Sequence, residues 1–165
     1  MVQAEFTEVV TSEEQLREIV GHPAQRNIQK MVPIIDEHCR MFIEKSPFVL
    51  LATSDLYGKI DVSPKGDPAG FVQVLDEHTL AIPNRPGNRR ADSFTNILQI
   101  PRVGLLFLIP GKRETLRVSG SAQIIRDVWL REQMVVNRKL PALTVVLRVE
   151  EAFIHCAKCV IRLHL

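Results

Sequence analysis

The densest set of groups able to do chemistry lies between Ile82 and Gln99, in IPNRPGNRRADSFTNILQ. Arg85, Arg89 and Arg90 crowd this stretch, and only Asp92 opposes them. The pattern predicts the end of a strand, a turn at Pro86-Gly87, an N-cap at Asn88 and a helix from Arg89 to Gln99. Phe94, Ile97 and Leu98 fall on one face of that helix. A helix N-terminus presents unpaired N–H groups and a partial positive charge, so it attracts anions. Arginines placed there can grip a phosphate bidentately. The chemistry implied is anion binding, with phosphate the foremost ligand; a solvated basic helix start is the plain alternative.

The totals limit what such a site serves. A chain of 165 residues with 45 % hydrophobic content forms one domain with a sizeable core. A net charge of +2 is too close to neutral for a dedicated nucleic-acid binder. The acidic start MVQAEFTEVV does not read as a secretory signal, and no apolar run approaches the roughly 20 residues that span a bilayer. A soluble cytoplasmic protein is expected, with no membrane partner. Three cysteines (Cys39, Cys156, Cys159) without a signal read as reduced thiols.

The elements that must position the arginine corner follow from periodicity. Ser12 and Gln15 have the spacing of a capping box for a helix over Thr11–Val20. A second helical piece is expected over Ala24–Met31. A third follows Pro33, with Ile34, Ile35, Cys39, Phe42 and Ile43 on one side. From Pro47 the period changes. PFVLLATS and KIDVSP form a hairpin around Asp55-Leu56-Tyr57-Gly58, and KGDPAG reads as a loop. FVQVLD and TLAIP form a second hairpin around Asp76-Glu77-His78. RVGLLFLIP reads as a central strand buried on both faces. ETLRVSGSAQIIR is a long strand with a bulge at Gly120. DVWLREQMVVNRKL reads as one amphipathic helix that starts at Asp127 and ends before Pro141, with Trp129 used in packing. LTVVLRVEEAFIHCAK closes the set. Six or seven mainly antiparallel strands with few helices between them predict a closed or partly closed barrel.

The ordered motifs SPKGDPAGF, IPNRPGNRRADSFTNIL, IPRVGLLFLIPG, ETLRVSG and FIHCAK resemble the pyridoxamine 5'-phosphate oxidase-like flavoproteins, and within them a branch of uncharacterised enzymes ascribed FMN dependence. The resemblance spans about Phe42 to Lys158. It implies a mainly β (α+β) fold: an antiparallel split β-barrel of Greek-key type with an N-terminal helical segment and flanking helices. Residues 1–165 would form one such domain, with 1–45 a helical preface packed on the barrel. It also implies a homodimer with FMN at the subunit interface.

Matched position by position, the resemblance assigns the flavin phosphate to Asn88, Arg89, Arg90 and Ser93. Lys65 becomes a second phosphate cation. The Val62–Ser63 backbone would lie along the flavin ring edge, with Pro64 in the same motif. Thr115 and Arg117 lie on the strand that reaches the flavin of the other subunit. Cations and N–H groups beside that ring would raise its reduction potential. No catalytic acid or base is identified and no metal is expected.

The other constellations are weaker. Cys156-Ala-Lys-Cys159 lacks a fourth ligand at zinc spacing and the setting that activates a dithiol. His38 and Cys39 point in different directions on a helix. No serine sits in a nucleophile elbow, and no glycine-rich dinucleotide or Walker loop is present. The function expected is that of an FMN-dependent oxidoreductase of unstated substrate. The rivals are a non-catalytic flavin store or sensor and a haem-binding split barrel, for which His155 is the one barrel-strand ligand. A deazaflavin in place of FMN is left open, and an oligonucleotide-binding barrel is disfavoured by the few aromatics.

Overall fold

The computed structural model describes residues 6–25 and 31–155. It divides into two units, Met1–Lys30 and Met31–Leu165. In the first, helix α1 (Glu13–Val20) starts at Ser12, whose Oγ accepts a hydrogen bond from the Gln15 N–H at 3.2 Å. The Gln15 side chain returns to the Thr11 N–H at 3.0 Å, one residue earlier than a strict capping box requires. The helix expected over Ala24–Met31 falls largely outside the described residues, as do Cys156, Lys158 and Cys159.

The second unit is built on one sheet. Helix α2 (Glu37–Lys45) precedes strands β1 (Phe48–Ser54), β2 (Ile60–Gly66), β3 (Gln73–Asp76) and β4 (Thr79–Pro83). Helix α3 (Asp92–Gln99) leads into β5 (Arg102–Leu108) and β6 (Thr115–Ile125). The short helix α4 (Val128–Gln133) then precedes β7 (Thr144–His155). The strand order is β2-β1-β5-β6-β7-β4-β3, and every neighbouring pair is antiparallel. The two end strands β2 and β3 are not paired to each other, so the sheet is open. This is the expected mainly β, split-barrel architecture.

Local chemistry explains the two hairpins. Asp55 Oδ1 accepts from the N–H groups of Tyr57 and Lys59, both at 2.9 Å, and Gly58 takes a positive φ that a side chain would resist. Asp76 Oδ1 closes the second turn by accepting from the His78 N–H at 2.7 Å. The bulge expected at Gly120 is present: the β6–β7 register shifts between Ser119 and Gly120. A Cβ at Gly120 would collide with the Arg148 carbonyl oxygen.

The core lies on one face of the sheet. Cys39, Phe42 and Ile43 of α2, Ile97 of α3, and inward residues such as Leu51, Leu80, Phe107, Leu116 and Leu147 form one cluster. On the opposite face a small cluster of Ala81, Leu130 and Met134 seats α4 over β4 and β7. The rest of that opposite face, across β2, β1, β5 and β6, is covered by no element of the unit among the described residues.

Three expectations need correction. β5 is not buried on both faces: Val103, Leu105 and Phe107 are buried, whereas Gly104, Leu106 and Leu108 are half-buried on the uncovered side. The helix after β6 ends at Gln133. Val136 and Lys139 then bridge around Asn137 and Arg138, both with positive φ. The β-branched pair Val135-Val136 and the turn-forming Asn137 favour that reversal over continued helix. Trp129 is not packed inside; it is 57 % exposed.

Candidate functional site

The candidate site gathers on the core side of the edge strand β2, where α3 crosses it. Alternation along β2 turns Asp61, Ser63 and Lys65 toward that side, opposite Thr53, Leu51 and Val49 of β1. Lys65 therefore belongs to the strand and not to the expected KGDPAG loop. Its Nζ donates to Ser63 Oγ at 2.9 Å. From the helix, Ser93 Oγ donates to Asp61 Oδ2 at 2.8 Å, and Asn96 Nδ2 donates to Thr53 Oγ1 at 3.0 Å. Ser93, Asn96 and Thr53 are buried. Burial lowers the Lys65 pKa from its ordinary value, and the nearby Asp61 carboxylate offsets part of that shift.

The arginine loop lies at the head of α3, in a form that sequence spacing does not indicate. The helix begins at Asp92 and its N-cap is Ala91, in the left-handed conformation at φ 57° with no side-chain cap. Asn88 is not the cap; its Oδ1 accepts from the Arg90 N–H at 3.1 Å. Arg89 also has a positive φ, of 63°. Two non-glycine residues in this region cost about 1–3 kcal/mol each, and such strain concentrates at ligand sites. Left-handed residues interspersed along a turn can aim successive N–H groups into an anion-binding concavity.

The three arginines have separate fates. Arg85 is structural: its Nε meets Asp67 at 2.5 Å and a guanidinium N–H donates to the Met134 carbonyl at 2.8 Å. Arg90 pairs with Asp92 at 2.8 Å through a side chain that is 69 % exposed. Arg89 makes no ion pair among the described residues.

The structure thus brings Ser63, Lys65 and Ser93 together, with Asn88, Arg89 and Arg90 on the loop that leads into the same helix. It does not bring Arg117 to them within one chain. Arg117 stands on the uncovered face, opposite Leu106 and Phe153, with its guanidinium 5.0 Å from the Phe153 ring centroid. Thr115, two residues earlier on that side of β6, is buried opposite Leu108 and His155. Val62 and Pro64 also face the uncovered side, and Val62 is 54 % exposed. A concavity of about 330 Å³ lies there, lined by Leu50, Ala52, Val62, Leu106, Arg117 and Glu151 among others.

Sequence reasoning missed two members of the cluster, Asp61 and Asn96. The period-2 run Asp61-x-Ser63-x-Lys65 is the available signal for the first. Asn96 follows Ser93 by three residues, which places both on one helix face. Elsewhere, burial pushes the Cys39 thiol up to about 12, so it is a packing residue and not a nucleophile.

The residues present suit a phosphorylated ligand such as FMN: a desolvated ammonium and two hydroxyls stand on β2 and the first turn of α3, the helix into which the left-handed turn leads. A mainly apolar concavity that also carries Arg117 and Glu151 lies on the other side of the same edge strand. The family described as pyridoxamine 5'-phosphate oxidase matches residues 35–156. No curated protein matches the sequence. Among solved structures, a candidate pyridoxamine 5'-phosphate oxidase from Lactobacillus delbrueckii is 24 % identical with a TM-score of 0.59, covering 74 % of this chain and 95 % of its own. HupZ from Group A Streptococcus is 20 % identical with a TM-score of 0.58, covering 73 % and 93 %. An FMN-binding protein from Syntrophomonas wolfei is 12 % identical with a TM-score of 0.55, covering 87 % and 96 %. At these identities the solved structures establish the fold alone, while the family match covers most of the chain: it belongs to the pyridoxamine 5'-phosphate oxidase-like split-barrel family.

Proposed function

We propose that the protein is a cytoplasmic homodimeric flavoprotein that binds FMN at its subunit interface and works as an FMN-dependent oxidoreductase. The observation that carries this reading is that Lys65 pairs with Ser63, and Ser93 with Asp61, on one side of β2 beside the helix that the arginine loop enters, in a chain of this family. Lys65 and the hydroxyls hold the phosphate, with Arg89, Arg90 and the Asn88 amide closing over it from the loop. The Val62–Ser63 backbone, on an edge strand with one side unpaired among the described residues, lies along the ring; Pro64 removes one N–H donor from that edge.

The uncovered sheet face supports the dimer. Leu50, Ala52, Val62, Leu106 and Leu108 give it the composition of a core, yet one chain leaves it half exposed. Pairing two such faces brings Thr115 and Arg117 of one subunit toward the flavin of the other. The bound flavin supplies two-electron chemistry; the chain supplies binding, orientation and positive charge.

The visible spectrum of the purified protein tests the reading, followed by titration with FMN and turnover with a reduced nicotinamide as donor. A flavin spectrum or tight FMN binding with turnover is expected. Binding without turnover would leave a flavin carrier in place of an enzyme. A colourless protein with no affinity for FMN would remove the cofactor from the account.

A further inference from the structure

Asp61 is the unexpected member of the phosphate corner. A cluster of donors suited to an anion holds a carboxylate of its own: Asp61 accepts the Ser93 hydroxyl proton at 2.8 Å and lies close enough to Lys65 to favour its charged form. No other carboxylate hydrogen-bonds to Ser63, Lys65 or Ser93 among the described residues. A serine hydroxyl has one proton to give. While Ser93 gives it to Asp61, it cannot give it to a phosphate. A bound phosphate would also sit beside a like charge in a partly buried setting, where repulsion is poorly screened.

Resting on the phosphate reading above, we propose that Asp61 is a resident counter-anion. It holds the Ser93 hydroxyl, one of the donors of the corner, and a phosphorylated ligand has to take that donor from it. The carboxylate stabilises the corner without ligand, by pairing Ser93 and by offsetting the burial of Lys65. It weakens the corner with ligand, because Ser93 must turn away and two anions then share one pocket. The consequence is a flavin that exchanges with solution instead of remaining as a permanent prosthetic group. Asp61 acts on the ligand by holding Ser93 and by its own negative charge, without taking part in the chemistry, so it is a positioning residue.

The opposite signs of two roles make the proposal testable. A purely structural Asp61, needed to place Ser93, predicts weaker FMN binding when it is replaced. A resident anion predicts tighter binding. FMN and riboflavin, which share ring and ribityl chain and differ by the phosphate, are titrated against wild type, Asp61→Asn and Asp61→Ala. Asn keeps an acceptor for the Ser93 hydroxyl and removes the charge; Ala removes both. Both variants should bind FMN about tenfold or more tightly than wild type, about one decade per 1.4 kcal/mol of repulsion relieved. Their riboflavin affinity should be unchanged, and FMN should dissociate more slowly.

FMN binding that is unchanged or weaker in both variants, while wild type still prefers FMN to riboflavin, overturns the proposal and leaves the phosphate reading standing. A wild type that binds FMN no better than riboflavin removes the phosphate reading, and the proposal with it. Circular dichroism of each variant checks that the sheet is intact, and a correctly folded Asp61→Asn is enough to decide between the two roles.

Discussion

Replacing Lys65 by methionine should weaken FMN binding without lowering stability, and that separation distinguishes a ligand-binding lysine from a structural one. Lys65 donates one N–H to Ser63 Oγ at 2.9 Å, which leaves two donors for a phosphate. Each charge-assisted hydrogen bond contributes about 1.5–3 kcal/mol. Losing one should weaken FMN by about ten- to a hundredfold, with riboflavin little affected.

Stability should not follow. Burial holds the Lys65 pKa below its ordinary 10.5, so folding works against the charged ammonium, and Asp61 offsets only part of that. Methionine keeps the stem and removes the desolvated charge. The free protein should therefore melt at the same temperature as wild type or slightly higher. The sign extends to pH. Between the lowered folded value and 10.5, the unfolded chain binds more protons than the folded one, so wild-type stability rises with pH through that window. The variant should lack this rise. Isothermal titration with both flavins, and melting curves from neutral to alkaline pH, read all three effects. An FMN affinity equal to wild type, or a loss of FMN binding accompanied by a drop in melting temperature, would refute the role given to Lys65.

Two further variants test the scaffold. Gly120→Ala drives a methyl group into the Arg148 carbonyl at the β6–β7 bulge and should cost about 3 kcal/mol or more in denaturant unfolding; a loss under about 1 kcal/mol would mean that the bulge has another geometry. Asp36 caps α2 by accepting from the Cys39 N–H at 2.8 Å, and that bond lowers its pKa. Asp36→Ala should cost about 1 kcal/mol near neutral pH. The difference from wild type should shrink as pH falls below 3.8 through the lowered folded value, and a difference independent of pH would show that the cap does not act through the ionised carboxylate.

The residues legible in the sequence are those whose neighbours along the chain decide their state. Both hairpins follow from Asp55 and Asp76 folding onto backbone two residues ahead. A glycine inside a strand pattern marks the bulge, and apolar spacing marks the core face of α2. What fails depends on partners far away. Arg85 has the position of a third phosphate ligand, yet it binds Asp67 and Met134, 18 and 49 residues distant. The left-handed turn at Arg89 and Ala91 runs against the preference of both residues, so only tertiary packing can impose it and no local rule proposes it. Gly66 makes Lys65 read as the start of a loop, although the alternation of Asp61, Ser63 and Lys65 has not yet ended.

The misreading of β5 is the most informative of these. Its run of apolar residues matches a strand covered on both sides, and the sheet covers one. Sequence composition responds to every surface a residue buries in the working protein, including surfaces buried against other molecules. The half of this sheet at β4 and β7 has its second face closed by α4 through Leu130 and Met134. The half at β2, β1, β5 and β6 has no such helix among the described residues, and its apolar side chains continue to the edge strand, where Ile60 is 71 % exposed. A helix closes one half from within the chain; by the same physical requirement, the other half needs a covering of equal apolar character. Arg117 and Glu151 interrupt that surface beside the concavity, so a covering surface must also meet two charges at its centre. The second copy proposed above, presenting the same face, would supply both needs, with each Arg117 set against a carboxylate or a bound anion across the axis.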